Sequence, residues 1–197
     1  MNNVVIIQSY NNEMSIKSVI EDYKQYFNDI YVYDTGSTDQ TKQIVLDSGI
    51  KLITDTSIST IFEKLNSDYI ILTSGNYMYD AYDSFMMLQY CMSHDYDMII
   101  GNRKNIDKNS YNFQEKIINN KAEKLFKKYI PDILSESRVI SKNFYKNIKI
   151  KTSYINVELT KLCVNFAFMD ISFNEKSEYS KPTKYSINDY IKINKLL

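Results

Sequence analysis

The stretch Ile30-Tyr31-Val32-Tyr33-Asp34-Thr35-Gly36-Ser37-Thr38-Asp39-Gln40-Thr41 decides how the chain is read. Its first four residues are β-branched or aromatic and form a buried strand. Asp34 to Ser37 breaks the pattern. Gly36 supplies a tight turn, and Ser37 or Thr38 caps a following helix. That helix carries Gln43, Ile44, Val45 and Leu46 and stops near Gly49, a C-cap residue. In an open α/β sheet, ligands sit outside the carboxyl ends of the strands, where this turn lies. Asp34 would end the strand with a carboxylate facing that crevice, ready to accept hydrogen bonds from a base or a ribose. Two readings stay open at this point: a ligand carboxylate, or a capped βα turn with no ligand.

Upstream, Val4-Val5-Ile6-Ile7 is a continuous apolar run, as expected of a parallel strand buried on both faces. The polar loop Gln8 to Asn12 follows. A helix from about Glu13 then places Ile16, Val19, Ile20, Tyr23 and Phe27 on one face. Downstream, Ile50 to Ile53 forms a short strand and Ser59 to Leu65 a short helix. Asp68 to Leu72 is a strand ending in a second polar crevice loop, Thr73-Ser74-Gly75-Asn76. Ala81 to Met92 is helical, its methionines filling core. Asp97 to Ile100 is a strand leading to Gly101-Asn102-Arg103. Strand and helix alternate, which predicts a single α/β domain: a mostly parallel central sheet flanked by helices, with right-handed crossovers.

The second half is less regular. Phe113 to Tyr129 is a long helix ended by Pro131. Asp132 to Ser141 mixes polar residues with Val139 and Ile140. Val157 to Val164 is helical, Phe166 to Phe173 reads as a strand, and Glu175 to Lys184 as a charged loop. Ile187 to Leu197 is a short amphipathic helix. Its Lys192 and Lys195 suit a membrane surface, although docking on the core is the default.

The 197 residues suffice for one sizeable core. Lys and Arg number 24, as do Asp and Glu, so the chain lacks the basic excess of a general nucleic-acid binder. Cys91 and Cys163 sit in apolar, helical patterns and read as buried thiols rather than a disulfide framework. The lone His94 falls in a surface loop, which leaves no histidine metal cluster. The apolar run at Val4 to Ile7 is too short for a signal-peptide core, and no run approaches the roughly 20 residues that span a bilayer. The expectation is a cytoplasmic protein without a transmembrane segment, with peripheral contact at the inner membrane face.

Several loops, taken in order, resemble those of the family 2 glycosyltransferases with the GT-A fold, a Rossmann-like architecture. Within that family the chain looks most like the small polyprenyl-phosphate sugar transferases of the dolichyl-phosphate mannose synthase kind. Val5 to Glu13 stands where the family has an apolar strand, Pro, a small residue and Tyr-Asn-Glu; here Gln8 replaces the Pro and Asn12 the first Glu. Asp34-Thr35-Gly36-Ser37-Thr38-Asp39 matches Asp-Asp-Gly-Ser-Thr-Asp. Gly101-Asn102-Arg103 matches Gly-Ser-Arg. Asp132, Ser135 and Arg138 fall at the spacing of Asp-x-x-Ser-Gly-Phe-Arg, with Glu136 and Ser137 replacing Gly and Phe. Glu158 stands at a helix Glu, and Ser180-Lys181 at a late Ser-Lys pair. The family's Asp-x-Asp metal motif should follow Tyr69 to Leu72, where this chain has Ser74-Gly75-Asn76.

The resemblance implies a nucleotide-binding half, residues 1–104, and an acceptor half, residues 105–197. It implies a nucleoside diphosphate sugar as donor and a polyprenyl phosphate or surface-glycan precursor as acceptor, with inversion at the anomeric carbon. The implied donor-site residues are Gln8, Tyr10, Asn11, Asp34, Ser74, Asn76 and Arg103. Arg103, Arg138 and Lys181 would supplement or replace a metal on the diphosphate, since Arg suits phosphate oxygens; a surface salt bridge is the alternative for each, and the favoured reading for Lys181. Asp132 is a base by position, or else a structural partner of Arg138. Mg²⁺ or Mn²⁺ is the family's cation. Here its ligands would be Asn76 and Asp80, only one of them charged, whereas hard cations want charged oxygens. The alternative is a non-catalytic relative that binds a nucleotide sugar or a protein partner. A general Rossmann enzyme is disfavoured, because no Gly-x-Gly-x-x-Gly loop is present.

Overall fold

The computed structural model describes residues 1–103, 113–174 and 176–197. In chain order the elements are β1 (Asn3–Ser9), α1 (Ile16–Lys24), β2 (Ile30–Asp34), α2 (Thr41–Asp47), β3 (Lys51–Ile53), α3 (Ile58–Lys64), β4 (Tyr69–Ser74) and α4 (Ala81–His94). There follow β5 (Met98–Arg103), α5 (Phe113–Phe126), β6 (Arg138–Ser141), α6 (Lys142–Tyr145), α7 (Ile155–Leu162), β7 (Phe166–Ile171) and α8 (Ile187–Leu196). The expected α/β domain is present, with boundaries moved by one to three residues at most ends. His94 closes α4 rather than lying in a loop, though it is exposed as expected.

The seven strands form one sheet in the order β3-β2-β1-β4-β6-β5-β7. β1 pairs in parallel with both β2 and β4. Alternation then divides its side chains between two cores. Val4 and Ile6 join Ile70, Leu72, Ile100 and Ile140 on one face, and Val5 and Ile7 join Ile71, Ile99 and Val139 on the other. Because the first crossovers run from β1 to β3 in one direction and β4 lies on the other side of β1, the order reverses between β1 and β4.

The segment read only as mixed, Asp132 to Ser141, holds the antiparallel strand. Its last four residues, all buried, form β6 between β4 and β5. Four residues are too few for a period to show in sequence. α6 follows directly, capped by Ser141.

α8 docks on α5 and α7 through Tyr190 and Ile193, both buried. Ser186 and Asp189 form a reciprocal capping box at its start, and Asp189 also accepts a hydrogen bond from Tyr154 Oη at 2.8 Å. The Ser186 and Tyr154 hydroxyls hold the Asp189 carboxyl down at about 2. A carboxylate whose pKa is depressed on folding contributes stability above its unfolded value, near 3.9, and loses it as pH falls toward the folded value. The protection of α8 amides, relative to their intrinsic exchange rate at each pH, should therefore fall between pH 4 and pH 2, and Asp189→Asn should show that lower protection already at neutral pH.

Candidate functional site

A cleft of about 920 Å³ opens at the carboxyl ends of β1 and β4, where the strand order reverses. It is lined by Gln8 and Ser9 from β1, by Ser74 at the end of β4 and Asn76 just after it, and by residues of the segments 150–155 and 179–184.

The wall beside β1 is two loops sewn together. Asn11 N donates to Ser37 Oγ at 2.8 Å, and Thr38 N to Asn11 Oδ1 at 2.9 Å. Asn12 N donates to Thr41 Oγ1 at 2.8 Å, and Gln40 N to Glu13 Oε2 at 2.9 Å. Asp39 accepts from Thr41 N and Glu13 N, and these bonds hold its carboxyl below the usual range. So Asp39 satisfies the helix start that Ser37 or Thr38 was expected to cap. Ser37 instead bridges the loops.

Asp34 departs from the expectation of a carboxylate facing the crevice. It is 2% exposed and accepts from Gly36 N at 3.0 Å, Ser37 N at 2.8 Å and Ser37 Oγ. A carboxylate this close to two backbone N–H groups satisfies them in preference to reaching outward. Its neighbour Thr35 faces the cleft in its place. Asn11 lines the cleft, but its side chain is committed to the β2 loop. Tyr10 stands at the rim, 60% exposed.

The expected charged groups are displaced further. Arg103 and Asp132 face each other in a two-bond pair, Nε–Oδ2 at 2.5 Å and Nη2–Oδ1 at 2.7 Å. Asp132 has no exposed surface and Arg103 only 9%. Glu115 lies 3.6 Å from the guanidinium, and the Phe173 ring is stacked near it. Asp132 is thus the partner of Arg103 rather than of Arg138. A carboxylate bonded at both oxygens to a buried cation is not a base. Arg138 is fully buried and donates to the carbonyls of Ser135 and Ile133 and to Thr160 Oγ1. Burial pulls it down to about 10, still protonated at neutral pH. Neither arginine reaches the cleft, and neither is a surface salt bridge.

Asp80 lies outside the cleft as well. It caps α4 by accepting from Tyr82 N, and its other oxygen faces Lys176 at 3.4 Å. Asn76 does line the cleft, 5% exposed, but its Oδ1 accepts from Met78 N at 3.2 Å, which turns the amide nitrogen toward Glu136 and Thr183. Gly75, between Ser74 and Asn76, packs closely: a Cβ there would lie 2.9 Å from Asn12 Oδ1, so the Asn12 side chain would have to shift. Among the described residues no cluster of three His, Cys, Asp or Glu side chains is placed to hold a metal. With Asn76 Oδ1 engaged and Asp80 capping a helix, the donors at this point do not fit a divalent cation held by the protein.

Three cleft residues were not singled out in sequence as site groups. Glu136 stood out only as a charge at a family glycine, and the register explains its position. β6 runs antiparallel to β4 with Arg138 opposite Leu72, and the turn just before β6 brings Glu136 beside Ser74 at the end of β4, within hydrogen-bond reach. Glu136 accepts from Thr183 Oγ1 at 2.8 Å and from Ser74, with the Asn76 amide at 3.5 Å. Lys151 and Lys184 are the other two. With Lys181 they form an exposed basic set on the cleft wall, none in an ion pair among the described residues. Cys91 and Cys163 are buried free thiols, pushed up to about 12 by burial.

No protein-family model matches the chain. The protein RfbJ of Shigella flexneri is 31% identical over 119 residues, 56% of this chain and 92% of RfbJ. The glycosyltransferase AglJ of Haloferax volcanii is 27% identical over 107 residues, 50% of this chain but only 35% of AglJ. Among solved structures, glucosyl-3-phosphoglycerate synthase from Mycobacterium tuberculosis with Mn²⁺ and UDP-glucose superposes with a TM-score of 0.73 at 11% identity, covering 98% of this chain and 75% of that one. The same synthase with Mn²⁺, UDP and phosphoglyceric acid gives 0.68 at 11% identity over 89% and 72%. These likenesses define the class: an α/β protein of the GT-A fold. With RfbJ 31% identical and matched over 92% of its length, the chain belongs to the same family as RfbJ.

Asp132→Asn should destabilise the protein by about 3–5 kcal/mol, because it leaves Arg103 charged, buried and short of its counter-ion. Urea unfolding should show a lower midpoint at unchanged slope. Arg103→Met with Asp132→Leu should recover most of that loss.

Proposed function

We propose that the protein transfers a sugar, with inversion, from a nucleoside diphosphate sugar to a polyprenyl phosphate or a surface-glycan precursor. The cleft at the reversal of strand order carries this reading, since that is where open α/β sheets take nucleotides. Residues 1–104 hold the nucleoside, with Gln8 and the sewn loops as its wall and Tyr10 stacking on the base. Residues 105–197 supply the acceptor side through 150–155 and 179–184. Lys151, Lys181 and Lys184 neutralise the leaving diphosphate. They do so as mobile point charges, a known mode of phosphate binding. Mn²⁺ accompanies the nucleotide in the synthase structures, but at Ser74 and Asn76 this chain provides only neutral groups around the single carboxylate of Glu136. Any dication would therefore have to arrive on the diphosphate.

A lipid acceptor requires contact with the inner membrane face. The exposed Ile187 and Ile191 of α8, beside Lys192 and Lys195, are the surface that suits it. Among the described residues no helix is long and apolar enough to cross a membrane. A second reading, a protein that binds a nucleotide sugar without transferring it, is favoured by the neutral Ser74 and Asn76.

Isothermal titration with UDP, GDP and their sugars, in Mn²⁺ and then in EDTA, tests the assignment. Binding should persist in EDTA. Lys181→Ala with Lys184→Ala should weaken it about tenfold, a loss of ~1.4 kcal/mol, and more at low salt. Absence of binding by every nucleotide would sink the donor site. Turnover of any donor would sink the non-catalytic reading.

A further inference from the structure

Behind the main cleft lies a second, smaller cavity of about 170 Å³, lined in part by Gln8, Asn156, Thr183 and Tyr185. Glu136 lines both cavities and stands at their junction. We propose that Glu136 is the proton acceptor of the transfer reaction, and that the acceptor nucleophile is therefore a hydroxyl group rather than an ionised phosphate. This rests on the transferase reading above and narrows it to the surface-glycan class of acceptor.

Four observations carry it. First, among the described residues no Lys or Arg nitrogen lies within ion-pair distance of Glu136. Its contacts are neutral donors: the Thr183 hydroxyl at 2.8 Å, Ser74, and the Asn76 amide at 3.5 Å. The other carboxylates near the sheet's carboxyl edge are already engaged: Asp34 in its turn, Asp39 on the β1 and β2 loops, Asp80 on α4 and Asp132 on Arg103. Second, Glu136 is fixed from behind. Its backbone N–H donates to the Tyr79 hydroxyl at 3.1 Å, and Tyr79 is 3% exposed. Third, the small cavity is made for a hydroxylated group. Asn156 is 8% exposed, its amide nitrogen donates to the Leu134 carbonyl, and its Oδ1 has no partner. A buried acceptor left unpaired is costly, and a ligand hydroxyl would satisfy it. Fourth, Asn76 turns its amide nitrogen rather than its oxygen to this point, which suits a carboxylate that stays free of metal.

The step balances simply. The acceptor oxygen forms a bond to the anomeric carbon as the bond from that carbon to the diphosphate breaks, its electron pair leaving on the diphosphate oxygen. The hydroxyl proton passes to Glu136. Burial raises the Glu136 carboxyl above its ordinary range, in the direction that makes it a better base. The ionisable groups facing it are Tyr79 below, Tyr185 across the small cavity, and the Arg103–Asp132 pair behind, with the lysines 151, 181 and 184 on the outer wall. A phosphate acceptor is ionised on arrival and needs none of this.

The test uses the full chain with whichever of UDP-glucose, UDP-N-acetylglucosamine or GDP-mannose binds by calorimetry, and water as the simplest hydroxyl acceptor. Nucleoside diphosphate release is followed from pH 5 to pH 9. Glu136→Gln should slow release at least ~100-fold while leaving the donor Kd within about twofold. It should also abolish the acidic limb of the profile. Glu136→Ala should regain rate with added formate, whereas Glu136→Asp should retain an acidic limb. Four results overturn the proposal. One is a Glu136→Gln rate within threefold of wild type. Another is a loss of donor affinity that matches the loss of rate. The third is transfer to undecaprenyl phosphate at the wild-type rate by Glu136→Gln, and the fourth is a wild-type protein that binds donor but never releases diphosphate. If wild type binds no nucleotide sugar at all, the transferase reading fails first, and Glu136 loses its role with it.

Discussion

The guanidinium of Arg138 is buried between β6 and α7 with none of its side chain in water, and the position of the cleft carboxylate Glu136 follows from it. β6 is only four residues long and is wedged antiparallel between β4 and β5. A strand that short contributes few ladder bonds. Arg138 adds bonds to the Ser135 and Ile133 carbonyls, which belong to the loop leading into the strand, and to Thr160 on α7. Those bonds satisfy a cation that would otherwise be very costly to bury. They also hold the turn 132–137 in one shape. The Arg103–Asp132 pair clamps the same turn to the end of β5. Glu136 lies in that turn, so its alignment with Ser74 depends on two buried arginines that never touch the cleft.

The polar loops at the carboxyl edge are under a different constraint. Tight turns leave backbone N–H groups unpaired, and each must find an acceptor. Asp34, Asp39, Asn11, Asn12 and Glu13 supply those acceptors between the β1 and β2 loops. The result is a rigid wall with few side chains left to bind anything. What remains is the exposed Tyr10, the lysine set, and Glu136, whose hydrogen bonds come from neutral donors. Rigid loops carrying a small number of uncommitted groups suit a preorganised site. The 179–184 side is anchored as well: Lys176 bonds Asp22 at 2.8 Å, and Ser180 Oγ donates to the Tyr77 carbonyl.

The same logic connects three departures from the resembled motifs. Ser74 and Asn76 replace two carboxylates on β4, and Glu136 replaces a glycine on the turn before β6. Glu136 lies within hydrogen-bond reach of both Ser74 and Asn76. Relative to those motifs, a single carboxylate stands on the turn before β6 in place of two at the end of β4. Around it the protein places hydroxyl and amide donors instead of a second carboxylate.

By itself the sequence determined the strands and helices of the first half, since continuous apolar runs and helical spacing record burial directly. It determined the polar turns at the carboxyl ends of β1, β2 and β4, the end of α2 near Gly49, which follows the C-cap Ser48 with a positive φ, and the ordered motifs that resemble the glycosyltransferases. Only the tertiary structure decided which charged residues are partners. Asp132 meets Arg103 across 29 residues, and Glu136 meets Thr183 across 47, distances over which no local pattern carries information. An arginine or aspartate written in a sequence looks the same whether it is buried in a pair or open to a ligand. The difference lies in desolvation, and desolvation is set by what the folded chain packs against it.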